Sequence, residues 1–361
     1  MRKGKWTWKL GIFLLVMGMV AAACGGDDEG GELTPINLQL QWFAQAQFAG
    51  YYAAVDQGFY EDEGLDVTIL EGAVEIVPQQ IVASGQAEFG LAWVPKALVS
   101  NEEGAGLVNI GQVFQRSGTL MVSWADSGIT APEDWAGKTV GNWGFGNEFE
   151  LTAAIEKFAV QDVNLVAQNF DMEALLNREV DAAEAMTYNE YAQVLEATNE
   201  ATGELYQPSD LSVIDFNDVG TAMLQDSIWV SEEWLADDNE DTAVGFLRAT
   251  FRGWMYCRDN PDECVDIVLD AGPTLGRSHQ TWQMNEINAL IWPSPNGIGV
   301  MDQALWDQTI EIATGQDVIS ADPGDGAFRT DLAEQALTDL DGDTIGADWT
   351  RVEVTLNPGG E

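Results

Sequence analysis

Residues 38–70 read LQLQWFAQAQFAGYYAAVDQGFYEDEGLDVTIL, and this stretch passes from strand to helix and back to strand. Residues 36–42 predict a strand, and residues 48–60 predict a helix that runs into a glycine stop. Residues 66–72 (DVTILEG) predict the second strand. A strand, a helix and a strand in this order are typical of a parallel sheet flanked by helices, so the stretch favours the α/β class.

The alternation of strands and helices continues along the chain and then restarts. Further strands are predicted at 89–94, 107–115, 138–144, 164–170 and 181–188, with helices at 75–84, 147–160 and 171–179. Residues 221–235 form another strand-like passage, and helices are predicted at 243–256, 261–270, 278–292, 301–313 and 328–337. The predicted fold class is therefore α/β with two units, each with a mixed, mostly parallel sheet, and a helical C-terminal region.

Two such units predict a chain in two lobes, with one lobe inserted in the other. The 361 residues exceed what a single core usually holds. We expect a first lobe of residues 35–120 and 225–350, an inserted lobe of residues 121–224, and crossing passages near 118–126 and 222–230. A ligand would lie in the cleft between the lobes, at the carboxyl ends of the strands.

The N-terminal residues MRKGKWTWKLGIFLLVMGMVAAAC have the basic start, apolar run and small residues of an export signal. The apolar run is too short to span a bilayer, which needs about 20 apolar residues. We expect residues 1–23 to be a signal peptide and residues 24–34 a flexible tether, because AAAC resembles the bacterial lipoprotein signal in which the cysteine is lipidated, here Cys24. The alternative is an ordinary secretory signal without a lipid.

The charge of the chain excludes one class of partner. Sixty acidic residues stand against 15 basic ones, and four of those basic residues precede Cys24. A surface this acidic repels nucleic acid and anionic lipid headgroups, so we expect no nucleic-acid partner.

Cys257 and Cys264 are the other two cysteines, and DNP between them predicts a helix end followed by a helix start. In an exported protein we expect a disulfide between them, with two separately buried thiols as the alternative. A metal site would need more Cys or His ligands, and His279 is the single histidine. We therefore expect no metal. His279 lies in a late helical segment without a partner pattern for catalysis.

Five motifs carry a resemblance to a known family. QWFAQAQFAGYYAA, GFYEDEGLDVTI, GQAEFGLA, GNWGFGNEFE and EAMTYNEYAQVL resemble the NMT1/THI5-like solute-binding proteins, over about residues 36–292. Members of this group feed bacterial ABC importers with thiamine pyrimidine precursors, riboflavin or sulfonates. The resemblance implies the two-lobed periplasmic-binding-protein fold of type II, a permease and an ATPase as partners, and no cofactor. We expect an exported monomer on the outer face of the cytoplasmic membrane, attached only through its N-terminal lipid.

The same group contains an enzyme, the yeast-type thiamine pyrimidine synthase, which is the main alternative. Its motif has a lysine and, four residues later, a histidine. In GLAWVPK these positions are Ala92 and Lys96, and the chain lacks the enzyme's cysteine cluster. We therefore predict a binding protein and not an enzyme. Binding of sulfonates or nitrate is a further alternative.

The candidate binding residues follow the ends of the predicted strands. They are Trp42, Gln45, Gln47, Phe48, Tyr51, Trp93, Trp143, Phe145, Asn147, Glu148, Tyr188, Asn189 and Glu190. An unpartnered buried amide costs about 1 to 3 kcal/mol, so rings mixed with Gln45 and Gln47 suit a flat ligand with polar edges better than a plain core. Trp42 could instead cover a sheet edge, one tyrosine of the first helix could be core, and Asn147 could be a helix N-cap.

The ligand type depends on whether carboxylates or amides make the hydrogen bonds to it. A glutamate near aromatic rings, such as Glu148 or Glu190, can accept hydrogen bonds from the amine and the protonated ring nitrogen of an aminopyrimidine. A flavin would use amides and stacking instead, and the glutamines with the many tryptophans keep that alternative open.

Overall fold

Two separate five-stranded sheets organise the computed structural model, which describes residues 32–324 and 326–361. The strands are β1 Thr34–Gln39, β2 Leu65–Leu70, β3 Phe89–Trp93, β4 Leu107–Gln112, β5 Thr119–Trp124, β6 Thr139–Asn142, β7 Asn164–Ala167, β8 Ala182–Met186, β9 Leu211–Asp215 and β10 Asp226–Ser231. The strand order is β2-β1-β3-β10-β4 in the first sheet and β7-β6-β8-β5-β9 in the second. The two α/β units predicted from the sequence are confirmed.

Both sheets are mixed in the same way. β1 pairs in parallel with β2 and β3, and β6 pairs in parallel with β7 and β8. The antiparallel neighbours come from β10 in the first sheet and β5 in the second. Each of these two strands begins just after the chain has passed from one sheet to the other, so the reversed direction marks the two crossings.

The helices surround these sheets. They are α1 Ala49–Asp56, α2 Phe59–Asp62, α3 Pro78–Ala83, α4 Val94–Glu102, α5 Phe149–Lys157, α6 Glu173–Leu176, α7 Glu190–Glu196, α8 Phe216–Val219, α9 Glu232–Ala236, α10 Glu240–Asp259, α11 Pro261–Ala271, α12 Arg277–Ile291, α13 Gln303–Gly315 and α14 Thr330–Thr338. The predicted helical C-terminal region is confirmed by α10 to α14. The glycine stop of the first helix is Gly58, which has a φ of 71°.

Helix α1 packs closely on α10, and two glycines allow this. A Cβ atom on Gly253 would lie 2.0 Å from the carbonyl oxygen of Gly50. A Cβ atom on Gly50 would lie 2.2 Å from the indole of Trp254. Because neither glycine has a side chain, α1 and α10 can approach this closely. The two helices, almost 200 residues apart in the chain, form one core beside the first sheet.

The chain passes between the sheets twice, at residues 113–118 and 216–225. The predicted crossing passages included β5 and β10 themselves, which lie within the sheets. The domain boundaries predicted after residues 120 and 224 stay predictions. The strand-like passage at 221–235 is a strand only over β10 and continues as α9. Residues 189–220, for which no element was predicted, form α7, β9 and α8.

A disulfide joins Cys257 at the end of α10 to Cys264 in α11, with 5.4 Å between the Cα atoms. The predicted bridge is confirmed, and the helix end and helix start on either side of Asn260 are also as predicted. Among the described residues no helix is long and apolar enough to cross a membrane. The predicted signal peptide and the lipidated Cys24 lie outside the described residues, as does most of the tether.

Candidate functional site

A cavity of about 490 Å³ opens between the two sheets. Its walls come from the segments that follow β1, β2 and β3 in the first sheet and β6, β7 and β8 in the second. These are the parallel strands, and the carboxyl ends of parallel strands are where ligands bind in open α/β sheets. The cavity therefore lies where the strand pattern predicts a binding site.

Most of the predicted binding residues meet at this cavity. Those that line it are Trp42, Gln45, Gln47, Trp93, Trp143, Phe145, Asn147, Tyr188, Asn189 and Glu190. The structure places Phe48, Tyr51 and Glu148 outside the lining.

Phe48 and Tyr51 belong to the core beneath α1. Phe48 is fully buried, and the ring of Tyr51 packs edge to face on Trp254 at a centroid distance of 5.6 Å. Tyr51 points toward α10, because α1 turns its apolar face there. Phe48 ends the short helical turn before α1 and is buried in the same core cluster. Glu148 bends back to its own loop, where its carboxylate accepts a hydrogen bond from the Gly146 N–H at 2.9 Å.

Asp226, the first residue of β10, organises the floor of the cavity. Its carboxylate is almost fully buried and accepts hydrogen bonds from Gln41 Nε2 at 2.6 Å, Trp93 Nε1 at 2.9 Å and Gln47 Nε2 at 2.8 Å. Burial raises the pKa of Asp226 to about 6, and these hydrogen bonds together with the nearby Lys96 ammonium oppose the rise. All three donors belong to residues that line the cavity.

The amides of the opening stretch form a chain that ends at this carboxylate. Gln283 Nε2 on α12 donates to Gln45 Oε1 at 3.1 Å, and Gln45 Nε2 donates to Gln47 Oε1 at 2.6 Å. Gln47 then donates to Asp226. The glutamines therefore have protein partners, and their first role is to hold a buried carboxylate and fix the orientation of the cavity floor.

Lys96 reaches across the cavity from α4. Its ammonium lies 4.8 Å from the centre of the Trp93 ring and donates a hydrogen bond to Asn147 Oδ1 at 2.6 Å. Burial lowers the pKa of Lys96 to about 8, although Glu184, Glu148 and Asp226 favour its charged form. Asn147 makes no N-cap hydrogen bond to α5, so it is an interlobe contact and not the helix cap that was its alternative role.

Aromatic rings from both lobes face each other at the cavity mouth. Phe170 lies between Trp42 and Trp143, with ring centroids 5.0 and 6.0 Å away, and it is nearly parallel to Trp143 at 15°. Trp143 Nε1 is buried and has no hydrogen-bond partner among the described residues. Phe145 is 84% exposed, with a φ of 57°, between two glycines of positive φ. The mouth is thus built for contact with a flat apolar surface.

Tyr188, Asn189 and Glu190 follow β8 and form the opposite wall. Glu190 is buried; one carboxylate oxygen accepts from the Met186 N–H at 2.9 Å and the other from Asn189 Nδ2 at 2.9 Å. Burial is the main cause that raises the pKa of Glu190 above its usual value. Burial also raises the pKa of Tyr188 well above its usual range.

The sequence analysis missed Gln41, Phe170, Asp226 and the cavity position of Lys96. A signal existed for two of them. Asp226 is a charge within the buried strand DSIWVS, and Lys96 is one of three lysines after Cys24. Phe170 had no such signal. Among the described residues, no group of His, Cys, Asp and Glu side chains could hold a metal ion.

A family model described as NMT1/THI5 like matches residues 45–264, which is more than half of the chain. The match includes strands of both sheets and most of the cavity wall. The chain belongs to the NMT1/THI5-like family. The resemblance carried by the sequence motifs is confirmed.

Curated relatives of this NMT1/THI5-like chain include binding proteins and enzymes. The formylaminopyrimidine-binding protein of Halalkalibacterium halodurans is 25% identical and covers 72% of this chain and 77% of the relative. The riboflavin-binding protein RibY of Chloroflexus aurantiacus is 26% identical, with 80% and 83% covered. The 4-amino-5-hydroxymethyl-2-methylpyrimidine phosphate synthase of Legionella pneumophila is 23% identical, with 66% and 74% covered.

A solved structure supports the fold of this family member. The periplasmic aliphatic sulphonate binding protein SsuA from Escherichia coli superposes with a TM-score of 0.61 at 14% identity, covering 80% of this chain and 94% of that one. This likeness confirms the predicted two-lobed α/β fold.

Proposed function

We propose that this protein is the solute-binding component of an ABC importer, and that it captures a flat heteroaromatic solute between its two lobes. The observation that carries the proposal is the cavity itself, whose lining combines indole and phenyl rings of both lobes with the buried carboxyl group of Glu190. The lobes close on the solute around the two crossings, and the closed form delivers it to a permease driven by an ATPase.

The chemistry of the lining favours a thiamine pyrimidine precursor or riboflavin. Rings suit stacking on a heterocycle, and the Glu190 carboxylate is suited to accept hydrogen bonds from an amine or an imide N–H. The names of two relatives, a formylaminopyrimidine-binding and a riboflavin-binding protein, agree with this class. A sulfonate fits less well, because Lys96 is the only Lys or Arg among the described residues that line the cavity.

We propose binding without catalysis because of two residues in the GLAWVPK segment. Ala92 and Lys96 stand where the synthase motif, as it is known in this family, has a lysine and a histidine. Lys96 is engaged by Asn147 on the far side of the cavity. A synthase of this type would form a pyrimidine product when it is incubated with its co-substrate. The purified protein should form none.

The first prediction concerns the ligand. Hydroxymethylpyrimidine, formylaminopyrimidine or riboflavin at 100 times its dissociation constant should stabilise the purified protein by about 2.7 kcal/mol. Differential scanning fluorimetry against these compounds, thiamine, taurine and alkanesulfonates measures the shift.

Trp143→Ala should weaken binding by on the order of 1 to 3 kcal/mol, whereas Phe158→Ala, outside the cavity on the same lobe, should leave affinity unchanged. A shift with sulfonates alone would refute the proposed class.

The second prediction concerns placement. We propose that the protein is exported and held on the outer face of the cytoplasmic membrane by a lipid on Cys24. Cys24→Ser should move it from the membrane fraction to a soluble exported form, because the variant lacks the sulfur to which the lipid would be attached. Fractionation followed by immunoblotting measures this. Membrane attachment that persists in the variant would rule out the lipid.

A further inference from the structure

The single histidine of the sequence, His279, lies on α12 and faces α7 of the other lobe. Its Nδ1 lies 3.0 and 3.1 Å from the two carboxylate oxygens of Glu196, and its Nε2 lies 2.9 Å from Asn189 Oδ1. Both ring nitrogens therefore face oxygen atoms. Asn189 also lines the cavity, so His279 contacts a residue that lies beside the proposed ligand.

The orientation of the Asn189 amide follows from Glu190. Asn189 Nδ2 donates to Glu190 Oε1 at 2.9 Å, while Glu190 Oε2 accepts from the Met186 N–H at 2.9 Å. When Glu190 is a carboxylate, its oxygens only accept, so the Asn189 amide must turn its N–H₂ toward Glu190. The Asn189 oxygen then faces His279, and that oxygen can only accept. His279 Nε2 must carry a hydrogen.

The other ring nitrogen is determined in the same way. Glu196 faces His279 Nδ1 with both oxygens, and the side chains of Glu196 and His279 are only 6% and 15% exposed. A carboxylate in this position accepts a hydrogen bond from Nδ1–H. Two donating nitrogens define an imidazolium.

We propose that His279, as an imidazolium, is a positioning residue of the cavity: it fixes the Asn189 amide and thereby keeps Glu190 a carboxylate toward the ligand. This inference rests on the proposed function, because it assigns Glu190 the role of acceptor for ligand N–H groups. In the competing arrangement the Asn189 amide is reversed, His279 is neutral, and the proton that His279 Nε2 would carry lies on Glu190 Oε1 instead. The two arrangements carry equal charge and differ only in where the proton resides.

The elements that pack around this network carry other charged groups, including Glu361, which follows Gly360 at the end of the C-terminal segment. Glu190 and Glu196 lie on α7, and the ion pair of Glu286 with Arg351 lies further along α12. The C-terminal segment also packs there, since a Cβ on Gly360 would lie 2.9 Å from His279 Cβ and 3.0 Å from Glu196 Oε2. Burial raises the pKa of Glu190, and the positive charge of His279 opposes that rise. A ligand that donates hydrogen bonds to Glu190 favours the carboxylate, and hence the proton on His279.

Side-chain ¹⁵N NMR tests this directly, because a protein purified without a histidine tag has one imidazole. Both ring nitrogens of His279 should appear as N–H groups, and Asn189→Ala, which removes one acceptor, should shift the Nε2 signal toward that of a neutral imidazole. Glu190→Gln should have the same effect, because glutamine can donate to Asn189 and let its amide reverse. His279→Gln should lower affinity about tenfold and shift the side-chain amide signals of Asn189, which a purely structural role would leave in place.

Three outcomes separate the possibilities. A neutral imidazole at pH 7 that Asn189→Ala leaves unchanged would overturn the assignment. Ligand that stabilises Glu190→Gln as strongly as the wild type would overturn the link to Glu190 but leave the proposed function standing. An imidazolium in the free protein, together with no heteroaromatic ligand of any kind, would instead support the network and contradict the proposed function.

Discussion

Replacing Asp226 by Ala should lower the free energy of unfolding by on the order of 3 kcal/mol and abolish ligand binding. The carboxylate is the acceptor for Gln41 Nε2, Gln47 Nε2 and Trp93 Nε1. Without it, three donors at the cavity floor lose their partner, and an unsatisfied buried group costs about 1 to 3 kcal/mol. Part of this cost is offset because a desolvated charge is removed. Urea unfolding followed by tryptophan fluorescence measures the stability, and ligand titration measures the affinity.

Two further variants sharpen this test. Asp226→Asn keeps the shape and one acceptor oxygen, so it should lower the free energy of unfolding by less than Asp226→Ala does. Its new NH₂ group has to face an acceptor, so the side-chain amide of Gln41 or Gln47 would reverse, and affinity should fall. Asp66→Ala, on the exposed face of β2, should change stability by less than about 0.5 kcal/mol. If Asp226→Ala behaves like Asp66→Ala in both measurements, the carboxylate does not organise the site.

The second large effect is expected from Glu150, a buried residue of α5 that contacts both crossings. Its carboxylate accepts hydrogen bonds from Ser117 Oγ at 2.8 Å in the first crossing and from the Met223 N–H at 2.5 Å in the second. Burial raises the pKa of Glu150 to about 8, against the opposing effect of these hydrogen bonds. In the unfolded chain a glutamate titrates near its ordinary value of about 4.3.

The sign of the pH effect follows from proton counting. Between about pH 4.3 and pH 8 the folded state holds the Glu150 proton and the unfolded state does not, so stability falls as pH rises. Each pH unit contributes about 1.4 kcal/mol, and the whole window contributes on the order of 5 kcal/mol. The stabilisation is complete below the window and is lost above pH 8.

Glu150→Gln should therefore lack this component of the pH dependence, since glutamine keeps the shape and cannot ionise. The free energy of unfolding, measured from pH 5 to pH 9 for both proteins, should show the variant gaining on the wild type as pH increases. Asp226, whose pKa burial also raises, affects both proteins alike and cancels in the difference. Glu133→Gln, at an exposed position, is the matched control. Parallel curves for wild type and Glu150→Gln would show that Glu150 is ionised throughout.

Much of the fold was predictable from local pattern. The order of strands and helices on either side of Gly58, the second α/β unit and the late helices all follow from periodicity and from glycine and proline signals. The strand β9 (LSVID), at one edge of the second sheet, was missed, although the shorter β7 at the other edge was predicted. The bridge between Cys257 and Cys264 needed only a spacing of seven residues and a helix corner.

Part of the candidate site was also predictable, for a topological reason. Residues that directly follow parallel strands must meet at one edge of a sheet, which placed Trp42, Trp93, Trp143 and Glu190 correctly at the cavity. The same reasoning failed for Phe48 and Tyr51, because the side of the first helical segment that faces the core depends on how it packs on later helices, as Tyr51 does on Trp254 of α10. Sequence spacing alone does not contain that contact.

By itself, the sequence determined the class of fold, the family and the strand ends at which a ligand site can form, because these depend on local periodicity and short motifs. Only the tertiary structure decided what the rings and amides of residues 38–70 do. Gln47 meets Asp226 across 179 residues of chain, and Gln45 meets Gln283 across 238. A hydrogen bond needs atoms within about 3 Å, and such proximity between distant residues is a product of packing within the first lobe, which no local pattern encodes.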